Sequence, residues 1–240
     1  MECLHSRHPA LRNPYIDADG NTAYCYDFTK LDGSETALTN NVDTNDDGTP
    51  DQGWYVVNSD ISYTKILFLD GDIHLILCDG NTMSVNTEAG FSLNGYSQEN
   101  VTNLTIYGQT NQTGRLEANN EGYVTIFLNP GNYTQYGGDV YLSNIFDDGG
   151  WALVAYSSDE MGGNVTFIRG KLTVSALGEN GIAIEADNNV NILGGQLDAQ
   201  GGTEGEEACG IHAYDGNITL GWTTAADRIK ASSYYSESGT

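Results

Sequence analysis

"GFSLNGYSQENVTNLTIYGQTNQTGRLEAN", Gly90 to Asn119, holds three short stretches in which apolar and polar residues alternate, separated by turns rich in Gly, Asn, Gln and Ser. Successive side chains of a strand point to opposite faces, so Leu104 and Ile106 fall on one side while Asn103 and Thr105 fall on the other. No i, i+3, i+4, i+7 spacing of apolar residues competes with that reading. The stretch therefore reads strand, turn, strand, turn, strand.

The same plan recurs along the chain. A unit opens with Gly and a hydrophobic residue, passes a turn, re-enters a strand of the form Asn-apolar-Thr-apolar, and closes with a third strand. Copies begin at Gly90, Gly122, Gly150, Gly181 and Gly210, so their starts are 32, 28, 31 and 29 residues apart (122−90, 150−122, 181−150, 210−181). An earlier unit, "DGDIHLILCDGNTMSVN" (Asp70–Asn86), keeps the second and third strands but lacks an opening one. A repeat of about thirty residues carrying three strands is the pattern of a parallel β-helix, in which each coil buries its inward row against the next. The expected inward residues are Ile73, Leu75 and Leu77, then Leu104 and Ile106, Val140 and Leu142, Val165 and Phe167, Val190 and Ile192, and Ile218 and Leu220.

The fold expected is all-β, a right-handed parallel β-helix of about six coils over residues 65–240. Residues 15–64 are expected to form an N-terminal hairpin and cap. In it "YIDADGNTAYCY" (Tyr15–Tyr26) reads as a hairpin around Asp-Gly-Asn, and the cap covers the first coil, since an open helix end is an exposed sheet edge. Residues 1–14 read as a disordered or foreign leader without the apolar core of a signal peptide.

Composition narrows the partners. With 33 acidic and 9 basic side chains the formal charge is −24, a field that repels nucleic acid and anionic membrane surfaces. No apolar run is long enough to span a bilayer. Glycine at 30 residues against 4 prolines, with abundant Thr, Asn and 15 tyrosines, suits short strands and tight turns and looks extracellular. Cys3, Cys25, Cys78 and Cys209 form no CxxC pair, which argues against a zinc ribbon or thioredoxin-type site; Cys78, ending an apolar strand, reads as a free buried thiol.

"DTNDDGTPD" (Asp43–Asp51) places Asp43, Asn45 and Asp47 alternately, followed by Gly48 and closed by Asp51. A hard dication takes six to eight oxygens from such a turning loop, so these four residues are the candidate Ca2+ ligands. The position where an EF-hand carries its bidentate Glu is Trp54, and the nine residues instead resemble the compressed acidic repeats of thrombospondin type 3 modules. An acidic turn explains the same residues without metal.

For a glycan ligand the candidates are Tyr133, Tyr136 and Tyr141 in one Gly-rich stretch, with Arg169 and Lys171 as a possible uronate contact. Sugars stack on rings that combine an apolar face with a polar edge. Arg169 and Lys171 share a strand face by the period of two, and also read as plain surface cations. Trp151 and Tyr156 follow on the next coil, and these five aromatic residues make a shallow platform if they share a face; Trp151, directly after Gly150, reads better as pointing into the core like Ile182 and Ile211. His74 and His212 lack a third ligand at metal spacing and read as hydrogen-bonded structural residues. Asn100, Asn103, Asn111, Asn132, Asn164 and Asn217 lie in Asn-X-Thr sequons, which turn geometry followed by a β-branched strand also explains.

"GWYVVNSDISY", "GDIHLILCDGNTM", "NLTIYGQTNQTGRLEA" and "GNITLGWTTAADRIKASSY" resemble, over about Tyr15 to Tyr235, repeat-bearing surface proteins of gut bacteria described as carbohydrate-binding-domain-containing. That group is similar in turn to right-handed β-helices of the polysaccharide-lyase type. The resemblance implies a secreted or cell-surface β-helix that contacts a polysaccharide, within a longer parent protein, and it supplies no catalytic motif. The acidic loop looks like an insertion relative to it. Two functions follow as expectations: a non-catalytic glycan-binding or adhesin module, and, as the alternative, a lyase or glycoside hydrolase acting on acidic polysaccharide.

Overall fold

A computed structural model describes residues 12–233, apart from 89, 98, 99, 159, 160 and 206. Among these residues every regular element is a strand, and the strands stack as a parallel β-solenoid. Each coil contributes one strand to each of three sheets. Sheet 1 starts each coil and runs through Ala37–Thr39, Leu67–Asp70, Phe91–Tyr96, Val124–Asn129, Trp151–Ala155, Ile182–Ala186 and Cys209–Ala213. Sheet 2 follows with Gly53–Val57, Asp72–Leu77, Thr102–Gly108, Gly131–Gln135, Asn164–Phe167, Val190–Ile192 and Ile218–Leu220, plus an eighth strand, Thr29–Lys30, on its N-terminal edge. Sheet 3 closes the coils with Ile61–Tyr63, Thr82–Thr87, Arg115–Asn120, Asp139–Asn144, Lys171–Ala176, Gln196–Gln200 and Arg228–Ser232.

The solenoid thus has about seven coils where the repeat suggested six. Leu67–Asp70 supplies the opening strand missing from the Asp70 unit, and strands within 29–63, expected in the cap, extend the same sheets. The first coil escapes a repeat search because the acidic loop separates its first two strands by thirteen residues, 40–52, where the second coil needs only Gly71.

The inward rows are the predicted ones. Ile73, Leu75, Leu77, Leu104, Ile106, Val140, Leu142, Val165, Phe167, Val190 and Ile192 are wholly buried, each in register with its equivalent on the next rung. Truncating one of these aliphatic residues to Ala leaves a cavity and costs about 2–5 kcal/mol. Ile218 and Leu220 depart from the expectation at 46% and 49% exposure, because their strand is the last of sheet 2 among the described residues. The other end is closed: Leu31 enters the core beside the first coil, its N–H donates to Val56 O, and Glu35 binds the Tyr63 hydroxyl at 2.6 Å.

Outward residues also run in rows. On sheet 2 three of the sequon asparagines stack into a ladder, with Asn132 Nδ2 donating to Asn103 Oδ1 and Asn164 Nδ2 to Asn132 Oδ1, both at 2.9 Å. Backbone N–H groups continue the ladder, since Asn189 N donates to Asn164 Oδ1 and Asn217 N to Asn189 Oδ1. The Asn-X-Thr spacing is thereby explained: Asn and Thr occupy adjacent outer rows and X the core.

The N-terminal hairpin forms from Asn13–Ile16 and Thr22–Cys25, closed by a turn in which Asp17 accepts from the N–H groups of Asp19 and Asn21. It lies across the outer face of sheet 2. That face carries apolar side chains on consecutive rungs, Trp54 and Val56, Ile76 and Cys78, then Tyr107, and leaving them in water would forfeit about 25 cal/mol per Å² of apolar surface. Tyr15 packs edge-on to Tyr107 at 4.8 Å between ring centroids and against Trp54 at 5.4 Å. Gln109 Nε2 donates to Pro14 O at 2.9 Å, and Arg169 Nη1 reaches Asp17 O at 3.1 Å from the fifth coil. Cys25 and Cys78 are free and buried in this small cluster, as expected for Cys78, while Cys3 lies outside the described residues.

Candidate functional site

On sheet 1 the residues between the inward ones form an outer row, Phe68, Asn94, Phe127, Val154, Glu185 and His212, paired strand to strand. A second outer position adds Phe91, stacked on Phe127 at 5.0 Å, and Trp151. Tyr156, at the strand end, meets Phe127 edge-on at 5.8 Å. Tyr96 and Tyr123 flank the row and are more than half exposed, and Phe68 is 49% exposed. Contiguous exposed apolar surface of this kind marks an interaction site more often than single scattered rings do.

Glu185 sits within this band and is only 8% exposed although its side chain faces outward. Trp151 Nε1 donates to its Oε2 at 2.8 Å and the Tyr156 hydroxyl to its Oε1 at 2.9 Å, so both oxygens of the carboxylate are held. His212 Nδ1 lies 3.9 Å from Oε2 on the next rung. Burial raises the pKa of the Tyr156 phenol, and the Glu185 charge adds to the rise. The arrangement holds the indole N–H and the phenol hydroxyl on one carboxylate.

Where sheet 3 turns into sheet 1, a groove of about 660 Å³ crosses several rungs. Its wall is a register row, Asn86, Asn119 and Ser143, with Asn119 Nδ2 donating to Asn86 Oδ1 at 2.8 Å. Glu88 and Glu121 stand beyond the strand ends, and Ile145 forms an apolar rim. A neighbouring hollow of about 470 Å³ shares Thr64, Thr87 and Glu88 with it and reaches Phe68, so groove and aromatic band are continuous.

The residues expected at a glycan site do not gather in one place, although Arg169 Nη1 donates to Tyr136 O at 3.5 Å. Tyr133 is wholly buried, paired with Leu104 and Val165 in the core, with its hydroxyl on Gln135 Oε1 at 2.9 Å. Tyr136 lies on sheet 2, stacked on Tyr107 at 5.5 Å, while Tyr141 belongs to sheet 3, with the Arg115 guanidinium 5.2 Å from its ring. Arg169 and Lys171 diverge because the chain turns a corner between them at Gly170, whose φ of +91° only glycine adopts freely. Arg169 is tied to the hairpin, and Lys171 on sheet 3 lies 3.9 Å from Asp139. The five aromatic residues do not share a face: Trp151 and Tyr156 meet on sheet 1 through Glu185, where Trp151 faces outward instead of entering the core.

In the acidic loop, Asp43 Oδ2 accepts from Gly48 N at 2.6 Å, Asn45 Oδ1 from Asp47 N at 3.1 Å, and Asp47 Oδ1 from Thr49 N at 2.8 Å. Asp51 is turned to Thr44, accepting from its hydroxyl at 2.6 Å, and hydrogen bonds from Thr44 lower its pKa. Among the described residues no three His, Cys, Asp or Glu side chains converge as a metal site. Asp43, Asn45 and Asp47 therefore share one turn, with Asp51 engaged to the side.

Glu185 is the residue that sequence reasoning passes over. Its signal is "IAIEA", a lone carboxylate inside an otherwise apolar strand, which is costly unless the group is hydrogen-bonded. The band escapes notice for a related reason: in "VTIFLN" and "WALVAY" both faces of the strand are apolar, so alternation does not separate inside from outside. No family model, curated protein or solved structure matches the chain.

Proposed function

We propose that the chain is a non-catalytic glycan-binding module of a secreted or cell-surface protein, contacting a polysaccharide through the outer face of sheet 1. The observation that supports this most is the aromatic band of Phe68, Phe91, Phe127, Trp151 and Tyr156 running alongside the 660 Å³ groove. Rings on successive rungs offer stacking surfaces to successive sugars, and the groove's amides and hydroxyls offer hydrogen bonds to the polar edge.

Co-sedimentation with a panel of insoluble plant and mucin polysaccharides tests the reading. Phe68→Ala and Tyr123→Ala together are expected to weaken retention about tenfold, or ~1.4 kcal/mol, with Tm nearly unchanged because both residues are exposed. Unaltered retention in that variant would remove sheet 1 from the proposal, and no retention of the parent chain on any polymer would remove the glycan.

The polysaccharide-cleaving alternative has one point in its favour, the Glu185 carboxylate beside His212. Release of reducing ends or unsaturated products, abolished in Glu185→Gln, would replace the binding reading with that one. Calcium belongs to the proposal as a staple of the acidic loop, with Asp43, Asn45 and Asp47 supplying oxygen ligands and Asp51 joining them on leaving Thr44.

A further inference from the structure

We infer that the polysaccharide taken by the corner groove carries amino groups, the class of a de-N-acetylated amino-sugar polymer. The inference rests on the glycan-binding reading and adds the chemistry of the ligand. It starts from the shape of the groove. The row Thr64, Asn86, Asn119 and Ser143 follows the solenoid axis across four rungs, each step about 4.8 Å, so the groove presents similar polar groups at regular intervals to an extended chain. Repeated weak contacts of this kind favour a polymer over a single sugar.

Charge then selects among polymers. Glu88 and Glu121 line the groove and both are exposed, while Glu117 stands beside it with Oε1 3.5 Å from Asn119 Nδ2. Among the described residues no Lys or Arg lines the groove itself; Lys65 lies in the adjoining hollow, and Arg115 is engaged by Glu117 at 3.2 Å and Asp139 at 2.8 Å. A uronate chain laid there would meet Glu88 and Glu121 along the groove, with Lys65 of the adjoining hollow as the nearby cation to set against these two carboxylates. An ammonium-bearing chain gains from Glu88 and Glu121 at close range and from the net charge of −24 at long range. Phe68, at the end of the adjoining hollow, adds a ring face on which a cationic sugar stacks.

The test compares retention of the full chain on chitosan, chitin, cellulose and calcium-pectate gel at low and high salt. Chitosan is expected to retain it best, with retention falling as salt rises. Glu88→Gln with Glu121→Gln is expected to weaken chitosan binding about five- to tenfold and leave Tm unchanged, since both side chains are exposed. Equal retention on chitosan and cellulose, or a Gln variant that binds chitosan like the parent, overturns the amino-sugar inference while the glycan reading stands. No retention on any of the four overturns both. Chitosan binding lost in the Gln variant but kept in Phe68→Ala with Tyr123→Ala supports the groove and removes the aromatic band.

Discussion

At Tyr133 the phenol enters the core between Leu104 and Val165 and donates a hydrogen bond to Gln135 Oε1, while Gln135 Nε2 reaches the carbonyl oxygens of Gly137, Gly138 and Lys171. Tyr133→Phe keeps the ring and strands the amide oxygen, so urea denaturation should show a loss of about 1–2 kcal/mol. Polysaccharide retention should not change. Glu185→Ala, by contrast, removes the acceptor from both Trp151 Nε1 and Tyr156 and leaves a hole; a loss of about 2–4 kcal/mol is expected in the same measurement. Tyr63, Tyr107, Tyr133 and Tyr156 all have pKa values raised by burial above the ordinary 10.0. The sign follows from which state binds the proton more tightly. The folded chain holds these protons where the unfolded chain releases them, so their contribution to stability is complete below pH 10.0 and is lost as pH rises beyond it. In an alkaline titration, tyrosinate absorbance from these four should appear together with unfolding. Ionisation of all 15 tyrosines while the fold persists would contradict the argument.

Among the elements, the N-terminal hairpin owes its place to a few long-range contacts. Arg169→Ala removes the one from the fifth coil, and limited proteolysis should then cut within 17–21 several times faster while the coils resist. The acidic loop makes a different prediction. If calcium staples it, Asp47→Ala lowers Tm in calcium and not in chelator; an equal drop in both assigns Asp47 to the Thr49 hydrogen bond alone. What was legible in the sequence divides along these lines. The repeat could be read because a parallel stack demands the same inward pattern on each rung, and Asn-X-Thr marks it on sheet 2. The first coil could not, because a long insertion breaks the period. Tyr133 was legible as the X of Asn132-Tyr133-Thr134, but its Gly-rich flanks favoured reading it as part of an exposed turn, and the divergence of Arg169 and Lys171 depended on a corner at Gly170 that a period of two does not foresee. Glu185 was readable in principle, since a carboxylate within an apolar strand requires partners, but the partners came from the preceding coil, about thirty residues away.

For the whole molecule, charge and the two unequal ends matter most. Six ion pairs among the described residues, two of them with histidine, do little to offset a net charge of −24. Raising ionic strength from about 10 mM to about 1 M shortens the screening length from about 30 Å to about 3 Å, and Tm is expected to rise with it. Hydrogen exchange should report the ends: amides of Cys209–Ala213, Ile218–Leu220 and Arg228–Ser232 exchange first, and those of Thr102–Gly108 last, because stability in a stacked repeat is a sum over neighbouring rungs.

The hairpin laid across sheet 2 also gives the solenoid a mechanical direction. Its contacts run through Trp54, Cys78, Gln109 and Arg169 on coils one, two, three and five, with Arg169 also donating to Tyr136 O of coil four at 3.5 Å, and leave coils six and seven outside its reach. Under tension applied at the C-terminus, the seventh and sixth coils peel away singly at low force. At the fifth the pull meets a cross-brace, and the remaining rungs yield together or not at all. In a force–extension trace the molecule should behave as two springs in series, a short soft one that absorbs the first load and a stiff one that keeps the groove and most of the aromatic band in shape.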